Sequence, residues 1–486
     1  MDEKDKLIQK LLDRISALEK RVAEQALVIE AQAKIIKQQA EKIADLEKRL
    51  DKNSQNSSKP PSSDGLKKKP QNNREKTTKK TGGQAGHAGT TLKREIADKS
   101  VVLAVLSCEE CGNDLSQSVS DEVEIRQVHD MPPIDIEVVE YVAEKKRCCC
   151  GHITEAAFPH GVNYSVQYGA KIKGFALYLH NEQKLPYARC CELLSDYFGV
   201  SFSEGTLFNT QQASYAYLAT IEKKTKETLI NQAVLNTDET GLRVKKSLHW
   251  LHVASTTNLT LYHIDEKRGK TGMDAMGVLP EFKGVAVHDH WKSYYRYTDF
   301  EHALCNAHHL RELKAFEEEG QIWAGKMRAF LKETCHLVNE QQRADKLGLP
   351  DSIRDERLRT YRAILAEGEN EIPLTCAPQN KKRGRPKQSK GRNLLHRLRD
   401  FETDVLRFAF DFRVPFTNNQ AERDIRMVKL KQKISGSFRS FEGAKMFARI
   451  TGYISTLRKQ NINIAHAMTQ LANGNPILPN FCQAEQ

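Results

Sequence analysis

The first fifty residues carry an apolar residue at every seventh position, which is the pattern of a coiled coil. The first seam is mostly β-branched and consists of Ile8, Ile15, Val22, Ile29, Ile36, Ile43 and Leu50. The second seam consists of Leu11, Leu18 and Leu46, with Gln25, Gln32 and Gln39 between them. This pattern favours a parallel two-stranded coil, in which buried glutamines weaken the pairing but fix its register. We predict a coiled coil over residues 1–52 that joins copies of the chain; the alternative is an amphipathic helix packed on its own protein.

Residues 53–100 change abruptly to a polar composition, with no aromatic residue and almost no aliphatic ones. Such a segment cannot bury a core. Within residues 65–80, seven side chains are basic and one is acidic. We therefore predict that residues 53–100 form a flexible basic linker.

Two groups of cysteines flank the next segment, residues 101–160. Cys108 and Cys111 have the spacing of a zinc knuckle, and Cys148 and Cys150 form a tighter second pair. An alternating, strand-like sequence separates the two pairs. Thiolate ligation of one zinc ion can replace a core that is too small to hold itself together. We predict a zinc-binding β unit with these four ligands; Cys149 and His152 remain alternative ligands, and free thiols are the alternative to a zinc site.

A helical region is expected over residues 161–225. It contains a helix, a turn at 198–200 and a second helix that begins after Ser203. This spacing is that of a helix-turn-helix, whose second helix enters the major groove of DNA. Helix pairs joined by a glycine turn are also common in ordinary bundles. We predict a DNA-binding region here.

The next segment, residues 226–320, alternates strands and helices. A strand, a hairpin around 256–258, a helix and a further strand follow in the order of a ribonuclease-H-like sheet. Residues 321–400 read as a helical insertion with a basic run, residues 401–460 as the second part of the core, and residues 461–486 as a tail. The chain is thus predicted to be a multidomain α/β protein.

Three separated carboxylates stand out in this core. Asp238 and Asp289 each end an apolar, strand-like run, and Glu422 lies in a helix whose start is marked by the N-cap candidates Asn418 and Asn419. Magnesium prefers oxygen ligands, and two ions about 3.5–4 Å apart can stabilise both oxygens of a phosphoryl displacement. We expect Asp238 to bridge two such ions, with Asp289 and Glu422 on either side. Glu239 should point to the opposite face of its strand.

Basic residues accompany these carboxylates. Arg423, Arg426, Lys429 and Lys433 follow Glu422 on the same helix and are expected to position DNA phosphates. Arg383 and Arg385 lie in the basic run of the insertion, in an RGRP sequence that resembles an AT-hook for the minor groove. An exposed face of ion pairs is the alternative for the helix.

A further group of possible metal ligands precedes the insertion: His302, Cys305, His308 and His309. We expect Cys305 and His308 to form a local packing and hydrogen-bonding anchor near the site. A structural zinc ion is the alternative.

Composition restricts the cellular setting. Lysine and arginine number 75 against 63 acidic residues, for a net charge of +12, and the clustered cations point to nucleic acid. The charged N-terminus is not that of a signal peptide, and no apolar run reaches membrane-spanning length. Eleven cysteines suit metal ligation in a reducing compartment better than a disulfide framework. A cytoplasmic protein without a membrane segment is expected.

Several motifs together resemble one family, the bacterial DDE transposases of insertion-sequence family sixty-six, of the TnpC type. These are NSSKPPSSD, GGQAGHAGTTL, LPYARCCELL, LNTDETGLRV, VAVHDHWKSYY, CNAHHLREL and VPFTNNQAERDIRMVKLKQKISGSFRS. The resemblance implies that Asp238, Asp289 and Glu422 are the catalytic acids, with the Cys305-x2-His308 motif between the last two. Thr417 departs from the family, in which many relatives have aspartate.

The resemblance also implies a reaction and its partners. The reaction is magnesium- or manganese-dependent cleavage and strand transfer at the ends of an insertion sequence. The partners are those ends, the target DNA, a second copy of the chain and accessory proteins of the same element. A ribonuclease-H-like nuclease without strand transfer and a dimeric DNA-binding regulator remain alternatives.

Overall fold

The computed structural model describes residues 3–50, 92–131, 135–346, 348–374 and 388–482. Helix α1, Glu3–Leu50, is continuous, as the heptad pattern predicts. Its apolar seam is solvent-exposed in the single chain, with Ile29 and Ile36 each 65% exposed. Pairing of α1 with a second copy stays a prediction.

The cysteine-containing segment has little regular structure within its described residues. Strands β1, Lys145–Arg147, and β2, Ile153–Glu155, form a short antiparallel hairpin around the second cysteine group. The strands predicted between the two cysteine groups are not formed: residues 123–131 and 135–144 have no regular structure. The alternating apolar residues there, including Val123, Val138 and Val142, are exposed, so no opposing layer stabilises them as a sheet face.

The helical region follows the predicted outline. Helix α3 ends at Gly199, whose left-handed φ of 63° allows the turn. Ser203 caps α4, because its hydroxyl accepts a hydrogen bond from the Thr206 N–H. The helices are α2, Ala170–Leu177; α3, Tyr187–Phe198; α4, Glu204–Tyr217; and α5, Ala219–Ile230.

A mixed five-stranded sheet lies at the centre of the remaining chain, in the order β5-β4-β3-β6-β7. Strand β4 pairs antiparallel with both β3 and β5, and β3, β6 and β7 run parallel. The hairpin predicted around 256–258 is formed, and the sheet contains a further strand, β7, that the sequence analysis does not predict. The elements are β3, Val234–Val244; β4, Ser247–Ser255; β5, Thr260–Asp265; α6, Lys270–Met276; β6, Val285–His288; and β7, Glu301–Leu304.

Helices cover both faces of this sheet. On one face, Leu242 and Val244 of β3 pack against α12 and α13, while β6 and β7 pack against the helices that follow α7. On the other face, Leu235 packs with α5 and α6. These later helices are α7, Asn306–Glu318; α8, Ile322–Arg343; α9, Asp351–Glu371; α10, Lys390–Asp400; α11, Glu402–Phe410; α12, Asn419–Ser435; α13, Phe441–Lys459; and α14, Ile464–Ala472. The architecture is therefore a mixed α/β one, with the insertion α8–α10 joined to the sheet through a shared core.

Candidate active site

Asp238 lies in the middle of the central strand β3, opposite Val253 of β4. Alternate residues of a strand face opposite sides of its sheet. Asp238 therefore shares a face with Leu242 and Val244, which is the face that α12 covers. Its carboxylate accepts a hydrogen bond from the Glu239 N–H at 2.8 Å, which leaves the other oxygen available to a ligand.

Asp289 lies beside Asp238 because β3 and β6 pair in parallel. The pairing runs from Val234 with Val285 to Asn236 with Val287, and Asp238 and Asp289 each come two residues later. The offset of 51 residues is the same for the paired strands and for the two aspartates (285 − 234 and 289 − 238). The register therefore brings two carboxylates to one edge of the sheet.

The surroundings of Asp289 bury its carboxyl group and disfavour the ionised form. Its Oδ1 accepts a hydrogen bond from the Trp291 N–H at 3.0 Å. Burial and the nearby charge of Glu239 raise its pKa to about 6, while Trp291, Arg268 and Arg397 oppose the rise. A bound cation would remove this penalty, because an opposite charge favours the ionised form.

Glu422 is brought to the aspartates by the first turn of α12. Asn418 occupies the N-cap position, but its side chain makes no capping hydrogen bond. Its amide instead donates to the Thr237 carbonyl at 2.8 Å and accepts from the Asn236 side chain at 2.9 Å. The expected cap is therefore a clamp that fixes the start of α12 against β3, one residue before Asp238.

A buried ion pair fixes the rotation of the same helix. Lys459 of α13 donates to Asp424 at 2.9 Å and to the carbonyls of Thr256 and Leu259 at 2.8 and 3.0 Å. The Tyr262 hydroxyl donates to the Asp424 carbonyl. With Asp424 held toward α13, Glu422 faces the sheet edge. Its Oε1 is buried and has no hydrogen-bond partner among the described residues.

The three carboxylates interact electrostatically. Burial and the neighbouring charge of Glu239 raise the pKa of Asp238 well above its ordinary value, and the charges of Asp289 and Glu422 raise it further. The like charges of these carboxylates repel one another, and one buried oxygen has no hydrogen-bond partner among the described residues. Such a group favours the binding of cations. Such a donor set, made of oxygens alone, suits magnesium or manganese.

Glu239 lies on the opposite face of β3, as expected, and it stabilises the site from behind. Arg268 donates to its Oε1 through Nε at 3.0 Å and Nη2 at 2.8 Å, and the Tyr294 hydroxyl donates to Oε2. The Arg268 guanidinium lies over Trp250 at 4.8 Å and over Trp291 at 4.3 Å. Trp291 in turn donates to Asp289, so this stack supports a candidate site residue. The sequence analysis did not identify Arg268, since no local pattern links it to Glu239.

Cys305 and His308 lie at the start of α7, close to Glu422. Cys305 is buried, and its Sγ accepts a hydrogen bond from the Asn418 N–H at 3.2 Å. A ligand atom from each of Cys305, His308 and Glu422 lies within 4.8 Å of the other two. The geometry of Cys305 agrees with the anchor that the sequence suggested. The Nδ1 atom of His308, however, is buried without a partner among the described residues.

The other two histidines of this motif are used elsewhere. His302 interacts through Nδ1 with His288 at 2.9 Å and through Nε2 with the Tyr297 carbonyl. His309 interacts with Asn306. Neither belongs to the group formed by Cys305, His308 and Glu422.

The basic residues of α12 divide into two kinds. Arg423, Arg426 and Lys433 are exposed. Lys429 is half-buried and donates to the Gly241 carbonyl of β3 at 2.6 Å, and burial lowers its pKa. Its ammonium group therefore holds α12 to the sheet. Arg383 and Arg385 lie outside the described residues.

The cysteines of the N-terminal half form two separate turns. The Cys108 N–H donates to the Asn113 carbonyl, and the Cys148 N–H donates to the His152 carbonyl. Backbone N–H groups of these turns lower the pKa of Cys108 and of Cys148. Cys111 and Cys150 are exposed in the same turns. Within the described residues, these thiols are not gathered into one group of three or more potential ligands.

None of the helices in the described part of the chain is both long and apolar enough to cross a membrane.

Comparison with known proteins gives a family for the region that holds the site. The model of the Transposase IS66 family matches residues 165–446, more than half of the chain, and a family of unknown function matches residues 4–93. No curated protein matches the chain. The matched region includes the helical pair, the sheet, the insertion and α12, and the chain belongs to the IS66 family of transposases.

Proposed function

We propose that this chain cleaves the DNA strands at the ends of an insertion sequence and joins them to target DNA, with Asp238, Asp289 and Glu422 as its catalytic acids. One observation carries the proposal: the parallel register of β3 and β6 and the first turn of α12 bring these three carboxylates together. Burial and Glu239 raise the pKa of Asp238, and the charges of Asp289 and Glu422 raise it further. The strand order β5-β4-β3-β6-β7 supports a ribonuclease-H-like core.

The donor set fits two magnesium or manganese ions, since it offers carboxylate oxygens and an unpaired buried Oε1 of Glu422. Asp238 would be shared between the ions, with Asp289 and Glu422 each holding one of them. When bound, such ions activate an attacking oxygen and neutralise the leaving oxygen of a phosphodiester. The protein itself supplies rigid positioning: β-sheet register for the aspartates and the Asn418 clamp for α12.

The exposed cations of α12 are the proposed contacts to DNA phosphates. Arg423, Arg426 and Lys433 extend from the site along the helix and can hold the backbone in register without reading sequence. Sequence recognition of the element ends is assigned to the α3–α4 pair, and minor-groove contact to Arg383 and Arg385. For Lys429 we propose a different role, in which its contact with the Gly241 carbonyl holds α12 to β3.

Assembly and the N-terminal metal complete the proposal. Two element ends must be held together at one target, and the exposed seam of α1 is suited to pair two copies in a coil.

One zinc ion held by Cys108, Cys111, Cys148 and Cys150 would require the two turns to approach each other. The lowered pKa of Cys108 and of Cys148 supports thiolate ligation.

A strand-transfer assay on DNA that carries the element's ends tests the proposal. Asp238→Asn, Asp289→Asn and Glu422→Gln should each abolish cleavage and joining while the protein still binds the ends, because each change removes a charged metal ligand. Asp299→Asn is the matched control, since this exposed aspartate pairs with Lys283 only at the surface. Full activity of any one of the three variants would remove that residue from the site.

The same assay separates the alternatives. Cleavage without joining would identify a nuclease. End binding without cleavage under any metal condition would identify a regulator. The regulator is disfavoured because it gives no role to three converging carboxylates, of which Asp238 and Asp289 have raised pKa values.

A further inference from the structure

The group formed by Cys305, His308 and Glu422 combines three different donor types in one partly buried place. Sulfur, ring nitrogen and carboxylate oxygen lie within 4.8 Å of one another. A tetrahedral ion with bonds of about 2.0–2.3 Å to such donors needs ligand separations of about 3.3–3.8 Å, which is about 1 Å shorter than this limit. Small side-chain movements are therefore enough to close the three ligands around one ion.

Two of the three donors lack a protein partner. His308 Nδ1 and Glu422 Oε1 are both buried and have no hydrogen-bond partner among the described residues. A buried polar atom without a partner costs about 1–3 kcal/mol. The three-carboxylate site accounts for Glu422 Oε1 but not for His308 Nδ1, so the latter is an independent indication that a ligand completes this place.

Without a bound ion, Cys305 is a neutral thiol. Burial raises its pKa to about 11 and the charge of Glu422 adds to the rise, while the N–H groups of Asn418, Ala307 and His308 oppose it. Neutral His308 is the form that ligates metals, because burial and the nearby arginines lower its pKa to about 4. A metal that binds here displaces the thiol proton to solvent, and the S–metal bond replaces the S–H bond.

We propose that Cys305, His308 and Glu422 form a binding site for a zinc-like transition-metal ion, with a fourth position open to water. Thiolate and imidazole ligands select zinc over magnesium, which prefers oxygen ligands alone. This site is therefore chemically distinct from the three-carboxylate site, although both use Glu422. The structure of the site does not depend on the reaction that the protein catalyses.

Sharing of Glu422 has a consequence that rests on the proposed function. A Glu422 carboxylate held by zinc is no longer free to ligate magnesium, and the added positive charge disfavours a second cation nearby. Zinc should therefore inhibit cleavage in competition with magnesium. Occupancy of the site would couple transposition to the availability of a transition metal.

Cobalt(II) provides a direct test, because a thiolate-to-cobalt absorption band reports sulfur ligation. The experiment uses the full-length chain with the five N-terminal cysteines replaced by serine, so that the proposed N-terminal zinc unit cannot give the band; these are Cys108, Cys111, Cys148, Cys149 and Cys150. We expect a band that zinc displaces. Absence of a band in this protein overturns the proposal without any further variant.

Variants then assign the ligands. Loss of residues that merely support a ligand costs about 10–100-fold in metal affinity, so Cys305→Ser and His308→Asn should each weaken cobalt binding by at least about 100-fold. Cys335→Ser is the matched control, since this half-buried cysteine of α8 lies outside the group. An unchanged band in folded Cys305→Ser protein would show that sulfur ligation occurs elsewhere.

Cleavage measured at fixed magnesium tests the consequence separately. Zinc should slow cleavage by the protein that retains Cys305 and His308. For each variant, the cleavage rate with zinc is compared with the rate of the same variant without zinc. Cobalt binding that depends on Cys305, together with cleavage that zinc does not slow, would overturn the inhibitory role. A cobalt band that depends on Cys305 in a protein that cleaves no DNA would support the metal site while the proposed function fails.

Discussion

The ion pair between Asp424 and Lys459 offers the sharpest test of how α12 is held. Both side chains are nearly inaccessible, at 8% and 11% exposure, and their atoms are 2.9 Å apart. Burial lowers the pKa of Lys459 even though the charge of Asp424 opposes the change. We predict that Lys459→Met destabilises the protein strongly and misplaces Glu422.

The magnitude follows from what the substitution leaves behind. Removal of one partner of a buried pair costs about 3–5 kcal/mol, because the remaining charge has no compensation. Lys459→Met also removes the donor to the carbonyls of Thr256 and Leu259. Asp424→Asn leaves those two hydrogen bonds intact, so its cost should be about 1–3 kcal/mol. The double variant should cost less than the sum of the two single variants, by about 1–3 kcal/mol.

Urea unfolding followed by tryptophan fluorescence measures these differences. The three tryptophans lie in β4 (Trp250), in the loop after β6 (Trp291) and in α8 (Trp323). Lys445→Met is the control, since this exposed lysine of the same helix only contacts the Phe441 ring and should cost less than about 1 kcal/mol. A cost for Lys459→Met no larger than that of the control would refute the buried pair and, with it, this account of the orientation of α12.

Three further results are expected. Ile29→Lys with Ile36→Lys should shift the protein toward monomer in light scattering and stop joining of paired ends, because buried like charges oppose the coil; unchanged assembly would exclude α1 as the dimer contact. Cys111→Ser should lower the zinc content of purified full-length protein, and an unchanged content would exclude this ligand. Lys431 has a folded pKa lowered by burial to about 8. In urea unfolding, the stability of the wild type relative to Lys431→Met should therefore rise from about pH 8 to pH 10.5 and stay constant below pH 8. A stability difference that does not change with pH would exclude the pKa shift. Exposed Lys433→Met is the control.

The parts of the fold that the sequence predicts are those with a strong local pattern. The heptad predicts α1, and the glycine turn and serine cap predict the α3–α4 pair. The apolar run before Asp289 predicts β6, because a buried parallel strand needs both faces apolar. The run that ends at Asp238 predicts only the first part of β3, which continues to Val244. The family motifs point to the same carboxylates, and the parallel register places the two aspartates side by side.

The contacts that orient the site could not be predicted, since they connect residues far apart in the chain. Asn418 has the residue type of a helix cap, but its amide bonds to β3 because the close approach of that strand offers a carbonyl and a second amide. Lys429 has the spacing of a phosphate contact, but the Gly241 carbonyl lies within its reach. In both cases a tertiary partner competes successfully with the local role that the sequence suggests.

Helix α12 illustrates why Glu422 reaches the aspartates across 133 residues of intervening sequence (422 − 289). Its start is held by the Asn418 contacts to β3, its middle by the ion pair with α13, and its end by the Ser435 hydroxyl, which donates to the Lys184 carbonyl at 2.8 Å. Lys184 precedes α3 and has a left-handed φ of 63°, a conformation that costs a lysine about 1–2 kcal/mol and so requires support from its surroundings. The position of Glu422 is therefore determined jointly by the sheet, by α13 and by the helical region that we assign to DNA recognition. Loss of any one of these contacts should therefore disturb the geometry of the site even though its three carboxylate residues are unchanged.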